Sequence, residues 1–294
     1  MRQNIFEKIA ANSNISSLIK RIHRLFQEET IISMGTRKTT CLTLRHFIEK
    51  YCFAYWKSNA NMICFNDFLN VLNFDTIYML AVEENDLDSI IDYIEIIENC
   101  IMMFNSQYTD DLCFMYDISA APDLDLIENN VLEVLDSLNM ESKYFPDTER
   151  AIIIEKNAAV TAAAEISSND TAFEVIFYNH HSLKGNTKEK ARILNYLAND
   201  FETQRKELSR INSSLASDIA CLLNSLNIRH NNVDQKSNSY HSTVAQMPPN
   251  ELEAWYDELY QMLLLARLEI DNIERKQKVA DLKKVFESEK QNNG

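Results

Sequence analysis

Apolar residues recur along most of this chain at steps of three and four. Ile5 and Ile9, then Ile15, Leu18, Ile19, Ile22, Leu25 and Phe26, fall on one side of a 3.6-residue turn. The same spacing predicts helices over roughly 3–29, 40–58, 64–73, 76–104, 108–118, 123–139, 147–166, 170–183, 187–209, 211–228 and 249–289. The expected fold class is therefore all-α, a multi-helix bundle that ends in a long C-terminal helix. Pro122 and Pro146 interrupt the pattern because proline lacks the donor N–H, and Pro248-Pro249 opens the last helix. Between 229 and 248 the periodicity gives way to Asn, Ser, Asp and Gln, which predicts the longest loop of the chain.

Composition narrows the function classes. The chain has 294 residues but three glycines, Gly35, Gly185 and Gly294. A glycine-lined phosphate loop of the Rossmann or P-loop kind has no material here, and no cofactor is expected. Six scattered cysteines without a C-x-x-C pair, and no leader-like start, point to a reducing cytoplasm. No apolar run reaches the roughly 18 residues that span a bilayer, so no membrane association is expected. The net charge of −15 is unevenly spread: Asp75 to Thr148 holds 18 acids against the single Lys143. By contrast, 1–74 carries 10 Lys and Arg against 5 acids, and 184–236 carries 9 against 6. The end of the acidic region places a domain boundary at 146/147, giving an N-terminal helical domain 1–146 and a helical bundle 147–294.

Three stretches carry candidate chemistry. In "LLNSLNIRHNNVD", Arg229 and His230 follow an apolar helix. A cation suits a helix C-terminus, and Asn231 or Asn232 can take the left-handed cap conformation. The same groups can also work on a phosphodiester. Arg229 would hold the phosphate with parallel N–H donors, His230 would move protons, and Asn224, Asn227, Asn231 and Asn232 would add amide donors. RNA brings its own 2′-OH nucleophile, so no metal is required. In "YNHHSLKGNTKEK", Gly185 ends one helix and Asn186 or Thr187 caps the next, with Glu189 completing a capping box. Tyr178, Asn179, His180, His181 and Lys184 exceed what such a corner needs, although adjacent histidines on a helix diverge. In the last helix, Leu252, Trp255, Tyr256, Leu259, Leu263, Ala266 and Ile270 form a core stripe. Beyond Ile273 the helix turns polar, with only Val279, Leu282, Phe286 and Val285 at a heptad-like spacing, a tail suited to another domain or to a dimer. Arg45-His46 repeats the Arg-His dipeptide inside an aromatic-rich helix, where a partly exposed polar pair explains it.

Taken together, "YNHHSLKGNTKEKARILNYLANDFETQRKEL", "LLNSLNIRHNN" and "MPPNELEAWYDELYQMLLLARLEIDNIER" resemble the C-terminal domain of AbiJ-like abortive-infection proteins, a branch of the HEPN superfamily. The resemblance covers roughly 148–280 and implies a HEPN-like bundle, frequently dimeric, that cleaves RNA without a metal in phage defence. It assigns Arg229 to the phosphate, His230 to acid–base work, and Asn224 and Asn231 to positioning the substrate or the histidine; beside the resemblance, Lys184 and His241 are candidate substrate-side residues. A homodimer and an RNA substrate are implied, and the acidic N-terminal domain would meet a phage trigger or a partner defence protein. The HEPN signature separates its Arg and His by four to six residues, whereas here they are adjacent. Consecutive helical side chains diverge by about 100°, so one phosphate meets both only if the backbone turns at Arg229 or if His241 takes over. The alternative is a non-catalytic helical adaptor, sensor or antitoxin.

Overall fold

The computed structural model describes residues 5–29, 31–34, 40–59, 61–107, 119–120 and 123–292. Most of them are helical, and the chain forms two compact units, Met1–Lys156 and Asn157–Gly294. Among the described residues no helix is long and apolar enough to cross a membrane. The expected helix 108–118 lies outside the described residues.

In the first unit the helices are α1 (Ile5–Arg24), α2 (Leu44–Phe47), α3 (Phe65–Val71), α4 (Phe74–Met79), α5 (Leu87–Gln107) and α6 (Asp123–Ser137). Ile19, Ile22 and Phe26 meet Tyr93, Ile97 and Ile101 of α5 and Ile127 and Val131 of α6 in one buried cluster. The expected helix 76–104 is broken where Asn85 turns left-handed at φ 50°. Asp86 then receives the Ser89 N–H and hydroxyl at the start of α5.

Strands are the departure from the all-α expectation. β1 (Ile31–Met34) pairs antiparallel with β2 (Thr40–Thr43) and with β3 (Ser119–Ala120). β4 (Met140–Phe145) pairs with β5 (Arg150–Glu155) in a hairpin, Phe145 opposite Arg150. The expected helix 147–166 is therefore strand β5 followed by a separate helix. Ala151, Ile152, Ile153 and Ile154 are all buried, so both faces of the strand are apolar and periodicity gives no sign of it. The β-branched side chains of Ile152, Ile153 and Ile154 favour the extended form. Because β5 belongs to the first unit's core through Ile153, the units divide at 156/157 and not at the acidity boundary.

The second unit holds α7 (Ala158–Glu165), α8 (Asn169–Phe177), α9 (Thr187–Ile211), α10 (Ser213–Ser225), the short α11 (Ser242–Ala245) and α12 (Pro249–Asn292). Polar ties fix its topology. Lys190 meets Asp257, Asp200 meets Arg267, and Asn212 meets Glu269, so α9 and α12 run side by side in the same direction. α10 returns antiparallel, bringing the Leu226 carbonyl to the Tyr256 hydroxyl. Of the predicted α12 stripe, Tyr256, Leu259, Leu263 and Ala266 are buried, while Trp255 is 42 % exposed and lies off the core.

Candidate functional site

The loop from Leu226 to His241 is built around one asparagine. α10 stops at Ser225, and Asn227, at φ 57°, is the residue that takes the left-handed conformation, in place of Asn231 or Asn232. Asn can do so because its short polar side chain tolerates αL better than a branched one. Asn232 is fully buried, at 0 % exposure. Its Oδ1 accepts the Asn227 N–H at 2.9 Å, and its own N–H reaches Asn227 Oδ1 at 3.0 Å. Its Nδ2 donates to the carbonyls of Asn224 and Ser239 at 2.9 and 2.6 Å. The His241 N–H donates to the Asn232 carbonyl at 2.9 Å. The buried Asn232 amide and the half-buried Asn227 amide thus cross-link both arms of the loop, which a chain without secondary structure needs if its polar groups are to leave water.

The backbone turn frees Arg229 and His230 from helical geometry. The Arg229 N–H returns to the Leu223 carbonyl at 3.3 Å, and its guanidinium crosses to α9. There Nη1 donates to Glu202 Oε1 at 2.7 Å and Nη2 to the Ala198 carbonyl at 3.0 Å. Burial pushes the Glu202 carboxyl up, but the hydrogen bond and charge of Arg229 outweigh it and leave the group below the usual carboxylate range. Glu202 also approaches Arg205 at 3.5 Å. From there a shallow groove of about 540 Å³ runs along α9, lined by Glu202, Arg205, Lys206, Ser209 and Arg210. His230 and His241 are both exposed on the braced loop. Asn231 accepts the Asp234 N–H through Oδ1, and Asn224 contributes its carbonyl to Asn232 while its side chain faces solvent.

Lys184 lies elsewhere. It precedes α9, whereas Arg229 docks at Ala198 and Glu202, roughly 18 Å or more along the helix at 1.5 Å per residue. Lys184 instead lines a second cleft of about 520 Å³ with Tyr178, Asn179, His180, His181, Lys190, Glu253, Asp257 and Tyr260. Both histidines line it because α8 ends at Phe177 and a 3₁₀ turn at His181–Leu183 follows, so the divergence expected of adjacent helical side chains does not apply. Asn186 caps α9 by accepting the Glu189 N–H, and Gly185 supplies φ 78° before it.

At the floor of this cleft Lys190, almost fully buried, bonds Glu253 and Asp257 at 2.8 and 2.7 Å. Tyr178 donates to Asp257 at 2.9 Å and stacks on Tyr260 at 4.1 Å between centroids. Burial, then the Asp257 charge, pushes the Tyr178 phenol far up, so it stays a neutral donor. No motif marks this network in the sequence, but a signal is present: Lys190 falls at a core position of the stripe Ile193, Leu194, Leu197 and Phe201, and Asp257 follows the buried Tyr256. Among the described residues no group of His, Cys, Asp and Glu is arranged to hold a metal ion. No family model, curated protein or solved structure matches the chain.

Proposed function

We propose that the chain is a metal-independent ribonuclease of the abortive-infection kind that its second unit resembles, working at the Asn232-braced loop. What supports this is one juxtaposition. Two exposed histidines sit on the loop, and the same loop delivers Arg229 to the end of a cationic row made by Arg205, Lys206 and Arg210 on α9. In this reading an RNA backbone laid along that row reaches, through Arg229, the loop that carries the two imidazoles. One imidazole takes the 2′-OH proton as the 2′-oxygen bonds to phosphorus. The 5′-oxygen leaves and receives a proton from the other imidazole, giving a 2′,3′-cyclic phosphate and a 5′-hydroxyl. Two of the five guanidinium donors of Arg229 are committed to Ala198 and Glu202, and the rest serve the phosphate.

The adaptor or antitoxin reading is favoured by one observation: Glu202 already neutralises Arg229. Four proteins separate the two. His230→Ala and His241→Ala are expected to lose about 100-fold or more in RNA cleavage and to lose growth arrest in cells, with folding retained because both side chains are exposed. Glu202→Gln is expected to raise cleavage several-fold by releasing the guanidinium. Equal toxicity and equal cleavage across wild type and all three variants would leave the interaction-protein reading standing.

A further inference from the structure

The last turns of α12 form a surface that the ribonuclease reading does not use. Among the described residues, Arg267 and Glu269 make polar ties from this helix to α9 and its C-cap. The remainder, Glu274 to Asn292, is 19 residues of helix, roughly 28 Å at 1.5 Å per residue. A lone helix of this length in water is marginal, because most helical stability comes from packing an apolar face. Such a face is present: Val279, Leu282, Val285 and Phe286 are each about half exposed, at 52, 52, 49 and 51 %. At 100° per residue they share one side. Arg275 and Lys278 lie within or beside that stripe and Lys276 and Lys283 along its other margin, all exposed. Glu274 and Asp281 follow on the Val285 side, Asp281 receiving Lys284 and Gln277.

The charges select the occupant. With Val279 and Phe286 at a and Leu282 at d, a second copy in parallel coiled-coil contact would set Lys278 at g of one chain against Lys283 at e of the other, which opposes pairing. A nucleic-acid backbone has no use for the apolar stripe, and an anionic bilayer would have to accept a chain of net charge −15. We infer that the α12 tail docks an acidic amphipathic helix of a partner protein, apolar along one seam with glutamate or aspartate at its margins. This does not depend on the ribonuclease reading.

The test uses the full chain and a synthetic helix of about four heptads with leucine at a and d and glutamate at e and g, with binding followed by fluorescence anisotropy of the labelled peptide. A one-to-one complex is expected. Leu282→Ser with Phe286→Ser, and separately Lys278→Glu with Lys283→Glu, should each weaken it by about tenfold or more, with unchanged circular dichroism. The charge-reversed protein should in turn bind the same peptide carrying lysine at e and g. Absence of binding to the glutamate peptide, or equal binding by the variants, overturns the inference. So does self-association in sedimentation that the Leu282 and Phe286 substitutions abolish. Binding of an RNA oligonucleotide or of phosphatidylserine vesicles in place of the peptide, lost with the same substitutions, would reassign the surface.

Discussion

Glu98 is a carboxyl buried on α5, at 8 % exposure. Burial, and then the charge of Glu128, pushes it up to about 7. The folded state therefore binds this proton more tightly than the unfolded chain does. Its contribution to stability is fully present below the unfolded carboxyl range and is lost as pH rises from about 4.5 to about 7. Glu98→Gln should leave unfolding unchanged near pH 4.5 and stabilise the first unit by about 2–3 kcal/mol at pH 8. Denaturant titrations at the two pH values check this, and a stabilisation independent of pH would refute it. At this same scale the candidate site was only partly legible. Arg229, His230 and the asparagines announced a polar loop after an apolar helix. Which asparagine lies at the centre was not readable, because Asn227, Asn231 and Asn232 are chemically identical. Only burial separates Asn232, which makes five side-chain and main-chain bonds to its loop, from Asn231, which makes a local turn.

Elements repeat the lesson with strand β5. The helices with one apolar face, such as α9 with Ile193, Leu194, Leu197 and Phe201, were readable because half of each turn faces water. β5 reads as helix in the sequence because Ala151 to Ile154 are buried on both faces, which erases the alternation that marks a strand. Its outer edge is finished by side chains of α5, a feature with no local signal at all. Asn99 Nδ2 donates to the Ala151 carbonyl at 2.9 Å and Asn99 Oδ1 accepts the Ala151 N–H at 3.0 Å, while Glu95 accepts the Ile153 N–H at 2.8 Å. An amide thus replaces a neighbouring strand. Asn99→Ala would strand a buried donor and a buried acceptor together and should cost about 2–4 kcal/mol. Asn99→Leu, which fills the volume without restoring the bonds, should recover little of it. Urea unfolding of the two variants decides the point, since a packing role alone would let leucine rescue.

For the molecule as a whole, charge decides how RNA could be held. The first unit carries 25 acids against 13 Lys and Arg, a net of −12, and the second 19 against 16, a net of −3. Non-specific attraction to a polyanion is therefore absent at long range, and any binding depends on the local row Arg205, Lys206, Arg210 and Arg229. Those four cations set a ceiling on counterion release. With about 0.7 ion released per phosphate on a single strand, log Kd should rise with log salt at a slope of roughly 3 at most. Removing two of them by Arg205→Ala with Arg210→Ala should lower the slope to about 1.4. His230→Ala should leave it near the wild-type value, because proton transfer and phosphate contact are separate duties. Filter-binding isotherms from low to physiological salt give the slopes. A wild-type slope well above 3 would place the RNA on some other surface, and an unchanged slope in the double variant would remove α9 from the path of the backbone.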